Sequence, residues 1–233
     1  MANPPAGDPG RTERTDRPAT AAARRRVREA AILAATRRLF DANGVRDAQI
    51  EDVARAVGVN RAIIYRHFSG KEELFALTLV SYLDELETGF RTVVSEVPQP
   101  RERLSALVEA FADFGVTYPA FVDCALTLMR RPGPELLEEI SEAALFRLGR
   151  GISRCLQHLR DALDAGIATG EFREQDTRLL ANYMYATGLG ALQLARVGML
   201  VHESAPGVPS ISPVDAVQVR AYLVATAQAI ASS

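Results

Sequence analysis

From residue 24 to its end the chain repeats apolar residues at three- and four-residue spacing, without the strict alternation of a half-buried strand. Such a chain folds by laying helices against one another, each burying one stripe. Ile32, Thr36, Leu39 and Phe40 form the first stripe, on a helix that Gly44 stops. Ile50, Val53, Ala54 and Val57 form a second, in a segment too short to hold a helix by itself. The segment after it must therefore pack against it. Between them lies Gly58-Val59-Asn60, a tight turn whose last residue suits an N-cap. Val59 and Ile64 stand on either side of that cap as a hydrophobic staple, which fixes the angle of entry into the third helix. This helix ends near Phe68, and Ser69 is placed to cap a fourth, with Glu72 reaching back to it.

Punctuation divides the remainder into longer helices. Pro98 and Pro100 end the fourth, residues 101 to 118 make a fifth and residues 119 to 130 a sixth. Arg131-Pro132-Gly133-Pro134 closes that one, and a seventh follows to about residue 165. Asp176 caps an eighth that runs to about residue 201, and Ser212 caps a ninth with Pro213 in its first turn. Residues 1 to 23 hold four prolines and no apolar period, and read as a disordered tail. The expected fold is all-α.

Charge is distributed unevenly. Residues 1 to 71 carry a net charge of +6 and residues 72 to 233 a net charge of −8, a split that points to a polyanion as partner of the first part. The longest uncharged stretch, between Arg178 and Arg196, is too short and too polar for a membrane span, and residues 1 to 23 lack the basic-then-apolar order of a secretory signal. Two cysteines, Cys124 and Cys155, suit a reducing cytoplasm, with their pairing undetermined. A cytoplasmic protein that does not engage a membrane is expected.

Two short helices joined by a glycine-containing turn, the second opening on an Asn cap, are the signature of a helix-turn-helix. Residues 61 to 68 are then the recognition helix, with Ile64 and Phe68 facing inward and Arg61, Ile63, Arg66 and His67 facing out. An exposed Ile on so short a helix fits the methyl group of a thymine in the major groove.

Residues 28 to 75 resemble the DNA-binding segment of TetR-family transcriptional regulators. The matching residues are Gly44, Val53-Ala54, Ala56-Val57-Gly58-Val59, Tyr65-Arg66-His67-Phe68 and Lys71-Glu72-Glu73-Leu74. The resemblance implies that Tyr65, His67 and Lys71, the last being the chain's single lysine, contact operator phosphates. It also implies that Arg61, Ala62, Ile63 and Arg66 face bases, with Asn60 at the start of the same interface. Where the family has two Thr or Ser before the second helix, this chain has Ala48-Gln49. Asp47 then caps one residue early, and Gln49 or Arg46 takes the phosphate contact. The run Arg24-Arg25-Arg26 with Arg28 is either an arm touching DNA or a solvated stretch.

The resulting organisation is a tail over residues 1 to 23, a three-helix DNA-binding domain over 24 to 70, and a helical effector-binding and dimerisation domain over 71 to 233. The eighth and ninth helices are nearly uncharged all round, so they need burial on every side, which a twofold homodimer with a four-helix interface supplies. Candidates for the lining of an effector site are Phe90, Phe111, Phe114, Tyr118, Phe121, Met129, Tyr183 and Met184, a set that suits an apolar or aromatic molecule. Cys155 and His158, three residues apart, are two ligands at most, and neither a metal site nor a cofactor is expected. With three histidines in all, catalysis has little material, and the chain is read as no enzyme. The function expected is that of a dimeric repressor on a palindromic duplex operator, released by a small molecule. The alternatives are a ligand-independent DNA-binding or partner-binding protein and a helical enzyme fused to a DNA-binding domain.

Overall fold

The computed structural model describes residues 16–45 and 49–232. The tail expectation for residues 1–15, and the roles assigned to Arg46, Asp47 and Ala48, fall outside them. The described chain is helical but for one hairpin. Helix α1 spans Asp16–Asn43, α2 Ile50–Val57, α3 Arg61–His67 and α4 Lys71–Glu96. They are followed by α5 Pro100–Thr117, α6 Pro119–Met129, α7 Gly133–Glu139, α8 Glu142–Ala168 and α9 Thr177–Val197. Strands β1 Met199–Ala205 and β2 Val208–Pro213 then lead into α10 Ala216–Ser232.

The stop and start signals of the N-terminal unit act as their chemistry requires. Gly44 and Gly58 take positive φ, 78° and 72°, where a side chain is disfavoured. Asn60 accepts the Ile63 N–H at 3.1 Å and so caps α3. A Cβ at Gly58 would meet nothing within 4 Å, so Gly58→Ala tests the backbone alone. We expect it to lower stability by about 1–2 kcal/mol in a denaturant titration, and Gly58→Asn to cost less, because Asn tolerates the left-handed region.

Five expectations need correction. Residues 16–23 are helical, with Pro18 in the first turn of α1, where its missing N–H breaks no hydrogen bond, and alanines after it. The reading of a tail to residue 23 therefore does not hold for them. Glu73, not Glu72, receives the Ser69 N–H, at 2.6 Å, and Gly70 is the cap position of α4. The long seventh helix is two helices, because Ser141 starts a new one by accepting the Ala144 N–H at 3.3 Å. The eighth stops at Val197, where Gly198 turns left-handed with φ 69°. Beyond it the chain forms an antiparallel hairpin turning at Pro206-Gly207, with Gly207 at φ 75°. Pro213 accordingly closes β2, and Asp215 starts α10 by accepting the Gln218 N–H at 2.7 Å.

One apolar core runs from the α1–α3 unit through α4 into the larger helical body. Phe40 and Phe75 meet edge to face at 4.9 Å, joining α1 to α4. A polar clamp strengthens that joint. Arg37 lies 4.2 Å from the Tyr82 ring centroid and pairs with Glu85, while the Tyr82 hydroxyl donates to Asp41 at 2.5 Å. Tyr118 closes the set by donating to Glu85 at 2.8 Å.

Candidate nucleic-acid interface and effector cavity

Helix α3 is held from below by Ile64 and Phe68, 1% and 2% exposed. That anchoring turns Arg61, Ala62, Tyr65 and Arg66 to solvent. Arg61 is occupied in the free protein, donating to Glu51 at 2.6 Å and to the Tyr65 hydroxyl at 3.0 Å. An exposed pair of this kind is worth at most about 1 kcal/mol, so exchange of Glu51 for a base edge is inexpensive. Arg66 has no carboxylate partner among the described residues. Asn60 spends its side-chain oxygen on the cap and keeps only its amide hydrogens for another partner.

Two residues expected on the outer face are half-buried. Ile63 and His67 line a concavity between α3 and the N-terminal part of α1, together with Val59, Arg24, Arg25, Arg28 and Arg66. Burial, then the Arg25 guanidinium, holds the His67 imidazole below its ordinary value, with Arg66 and Arg28 adding to the effect and Glu29 opposing it. The folded protein thus disfavours the imidazolium. Its stability should fall as pH drops through the unfolded-state value near 6.5 toward the lower folded value. A DNA phosphate beside His67 reverses that preference, so we expect DNA affinity to rise from pH 7 to pH 5.5 in the parent and to rise less in His67→Gln. Fluorescence anisotropy at fixed ionic strength measures both.

Gln49 occupies the cap position of α2, where its N–H donates to Asp52 at 3.3 Å, and its side chain is exposed. Lys71 opens α4, with its ammonium 5.1 Å from the Phe75 ring centroid. The free N–H groups of that helix end and the lysine charge together suit an anion. The acids of the same turn are taken elsewhere: Glu72 pairs with Arg131 at 3.5 Å, and Glu73 accepts from Ser69 and Ser141.

The second feature is an apolar cavity among α4, α5, α8, α9 and α10. Phe90, Phe111, Tyr183 and Met184 stand on its wall, as the sequence suggested. Four other candidates do not. Phe114, Tyr118 and Phe121 pack into an aromatic cluster with Tyr82, at centroid distances of 4.8 Å for Phe114–Tyr118 and 5.3 Å for Phe114–Phe121. Met129 ends α6 and is exposed. Sequence reasoning missed Cys155, Tyr185, Thr187 and Thr226, which also line it. Tyr183 and Tyr185 both line the cavity from a helix with almost no charge, Tyr183 55% exposed and Tyr185 partly buried, a difference that no pattern indicated.

Both cysteines are free and buried. Burial pushes the Cys155 thiol up to about 12, and it donates to the Leu83 carbonyl at 3.5 Å. His158 lies 3.5 Å from Glu87, and no cluster able to hold a metal occurs among the described residues. No helix among those residues is long and apolar enough to cross a membrane.

A buried-anchored recognition helix after a glycine turn, joined through one long helix to a cavity-bearing helical body, defines a helix-turn-helix regulator. Within that class the chain's N-terminal segment is similar to that of the TetR family. Residues 32–77 match the family of bacterial regulatory proteins, tetR family. The transcriptional activator FasR of Mycolicibacterium smegmatis is 36% identical over 87 residues, which cover 37% of this chain and 40% of FasR. The transcriptional repressor KstR2 of Rhodococcus jostii is 26% identical over 161 residues, 69% of this chain and 76% of KstR2. The fold is shared with the crystal structure of RolR in complex with resorcinol, at TM-score 0.65 and 16% identity over 90% of both chains. It is shared too with KstR2 of Mycobacterium tuberculosis, at TM-score 0.55 and 23% identity over 88% of this chain and 95% of that one.

Proposed function

We propose that this protein is a homodimeric, ligand-responsive transcriptional repressor acting in the cytoplasm on a palindromic duplex operator. It works by binding and not by catalysis. The observation that carries the reading is the course of α4, which begins at Lys71 beside the recognition helix and supplies Leu83, Leu86 and Phe90 to the cavity wall. In this structure the cavity volume is only about 40 Å³. Sites for drug-sized molecules are nearer 300–1,000 Å³. An effector must therefore part α4 from α8 and α9, and displacement of α4 moves Lys71 and the unit joined to it. The ligand acts through its preference for the opened state. Apolar walls with a few hydroxyl groups favour an uncharged apolar or aromatic effector.

Dimerisation is supported by the outer faces of α9 and α10, where Leu179, Tyr183, Val217 and Tyr222 are between 55% and 77% exposed. Paired with a second copy they form a four-helix interface and set two recognition helices about one DNA turn apart, roughly 34 Å.

The test is selection from random duplexes at two salt concentrations, with Tyr65→Ala beside the parent, followed by displacement of the selected duplex with apolar and aromatic compounds that raise the melting temperature. A palindromic site lost in Tyr65→Ala and released by a stabilising compound is the expected result. Failure to enrich any sequence at low salt overturns the DNA reading. Enrichment with no displacement by any stabilising compound overturns the effector reading alone.

A further inference from the structure

Arg24, Arg25 and Arg28 fall on one side of α1, within about 100° of arc, and line the concavity that also holds Ile63, Arg66 and His67 of the recognition helix. Arg26 projects from another side and is not part of it. Several arginines elsewhere are matched: Arg37 with Glu85, Arg61 with Glu51, Arg131 with Glu139, Arg196 with Asp123 and Arg220 with Asp113. The four arginines of the concavity have no carboxylate partner among the described residues. Glu29, whose charge acts on His67, is engaged by Arg147 at 2.5 Å. His67 adds a buried Nδ1 with no hydrogen-bond partner among the described residues. Four guanidinium groups gathered on one concave face favour an anion seated among them.

This inference rests on the DNA-binding reading and extends it. We infer that the N-terminal part of α1 is a second DNA-contacting element, in which Arg24, Arg25 and Arg28 grip the phosphate backbone flanking the base pairs that α3 reads. Arg66 and Ile63 belong to both the concavity and α3, so a duplex seated on the recognition helix brings its own backbone to the arginines. A guanidinium reaches phosphate oxygens in a bidentate fork. Because the contact is with backbone, it adds affinity and register without reading sequence.

The experiment compares the parent with Arg25→Ala/Arg28→Ala and with Arg25→Lys/Arg28→Lys on the selected duplex. Each lost phosphate contact lowers the slope of log K against log salt by roughly 0.9, so the alanine pair should lower it by roughly 1.8 per half-site. The selected sequence should be unchanged, and hydroxyl-radical protection should vanish from the flanking backbone only. The lysine pair should restore most of the slope, since it keeps the charges. These side chains are exposed, so helicity by circular dichroism and the melting temperature should match the parent. An unchanged slope with flanking protection intact overturns the inference and leaves the DNA reading standing. Altered base preference also overturns it, because the cluster would then read bases. A parent that binds no duplex removes both readings together.

Discussion

Replacing Phe121 by alanine is expected to lower the free energy of unfolding by about 3–5 kcal/mol while leaving the effector cavity able to bind. Phe121 is fully buried and meets Phe114 at 5.3 Å, Phe111 at 5.9 Å and Tyr82 at 6.3 Å between ring centroids. Truncation removes edge-to-face contacts with Phe111 and Phe114 and a tilted contact with Tyr82, and leaves a void bounded by rings that cannot all close in. Phe111 differs, since it touches both this cluster and the cavity, lying 6.0 Å from Tyr185. Phe111→Ala should therefore damage stability and effector binding together. Denaturation at fixed protein concentration, read beside compound-induced melting shifts, separates the two variants. Loss of effector binding in a still stable Phe121→Ala would place the effector in the aromatic cluster instead of the cavity.

The other large effect should follow Arg66→Ala. If its exposed guanidinium forks onto a guanine edge, removal costs about 1–3 kcal/mol of discrimination per half-site, and about twice that for a dimer on a symmetric operator. Repeating the selection with this variant should recover the same palindrome with one position relaxed in each arm. A uniform loss of affinity with every position still specified would make Arg66 a phosphate contact. Arg61→Ala should cost less, because breaking its contact with Glu51 offsets part of what it gains on DNA.

The N-terminal unit was legible in the sequence because its signals are local. Gly58 needs its glycine for a left-handed turn and Asn60 its side chain for a cap, whatever surrounds them. Signals that depend on competition between neighbours were harder to read. Glu72 and Glu73 stand side by side, and only packing against Ser141 decides that Glu73 turns inward to take the Ser69 N–H. The break between α7 and α8 rests on a single serine inside an otherwise continuous helical pattern. The hairpin escaped because Met199, Leu200 and Val201 extend the apolar run of α9, and its turn is Pro-Gly, which reverses direction as a type II turn. The cavity was half legible for a related reason: a helix apolar on all sides, such as α9, carries no phase, so its inward residues are set by α5 and α10.

The joint built by Arg37, Asp41, Tyr82 and Glu85 governs how this protein can be recombined. It sits more than ten residues into α4, beyond residue 77, where the match to the family ends. A chimera spliced at residue 70 would set a foreign α1 against Tyr82 and Glu85, which in this chain receive Asp41 and Arg37. The exchangeable module therefore reaches past Glu85. Splicing in the outer half of α4 should transfer operator choice with the linkage intact, whereas splicing at the sequence boundary should yield heads that bind DNA but no longer follow the body.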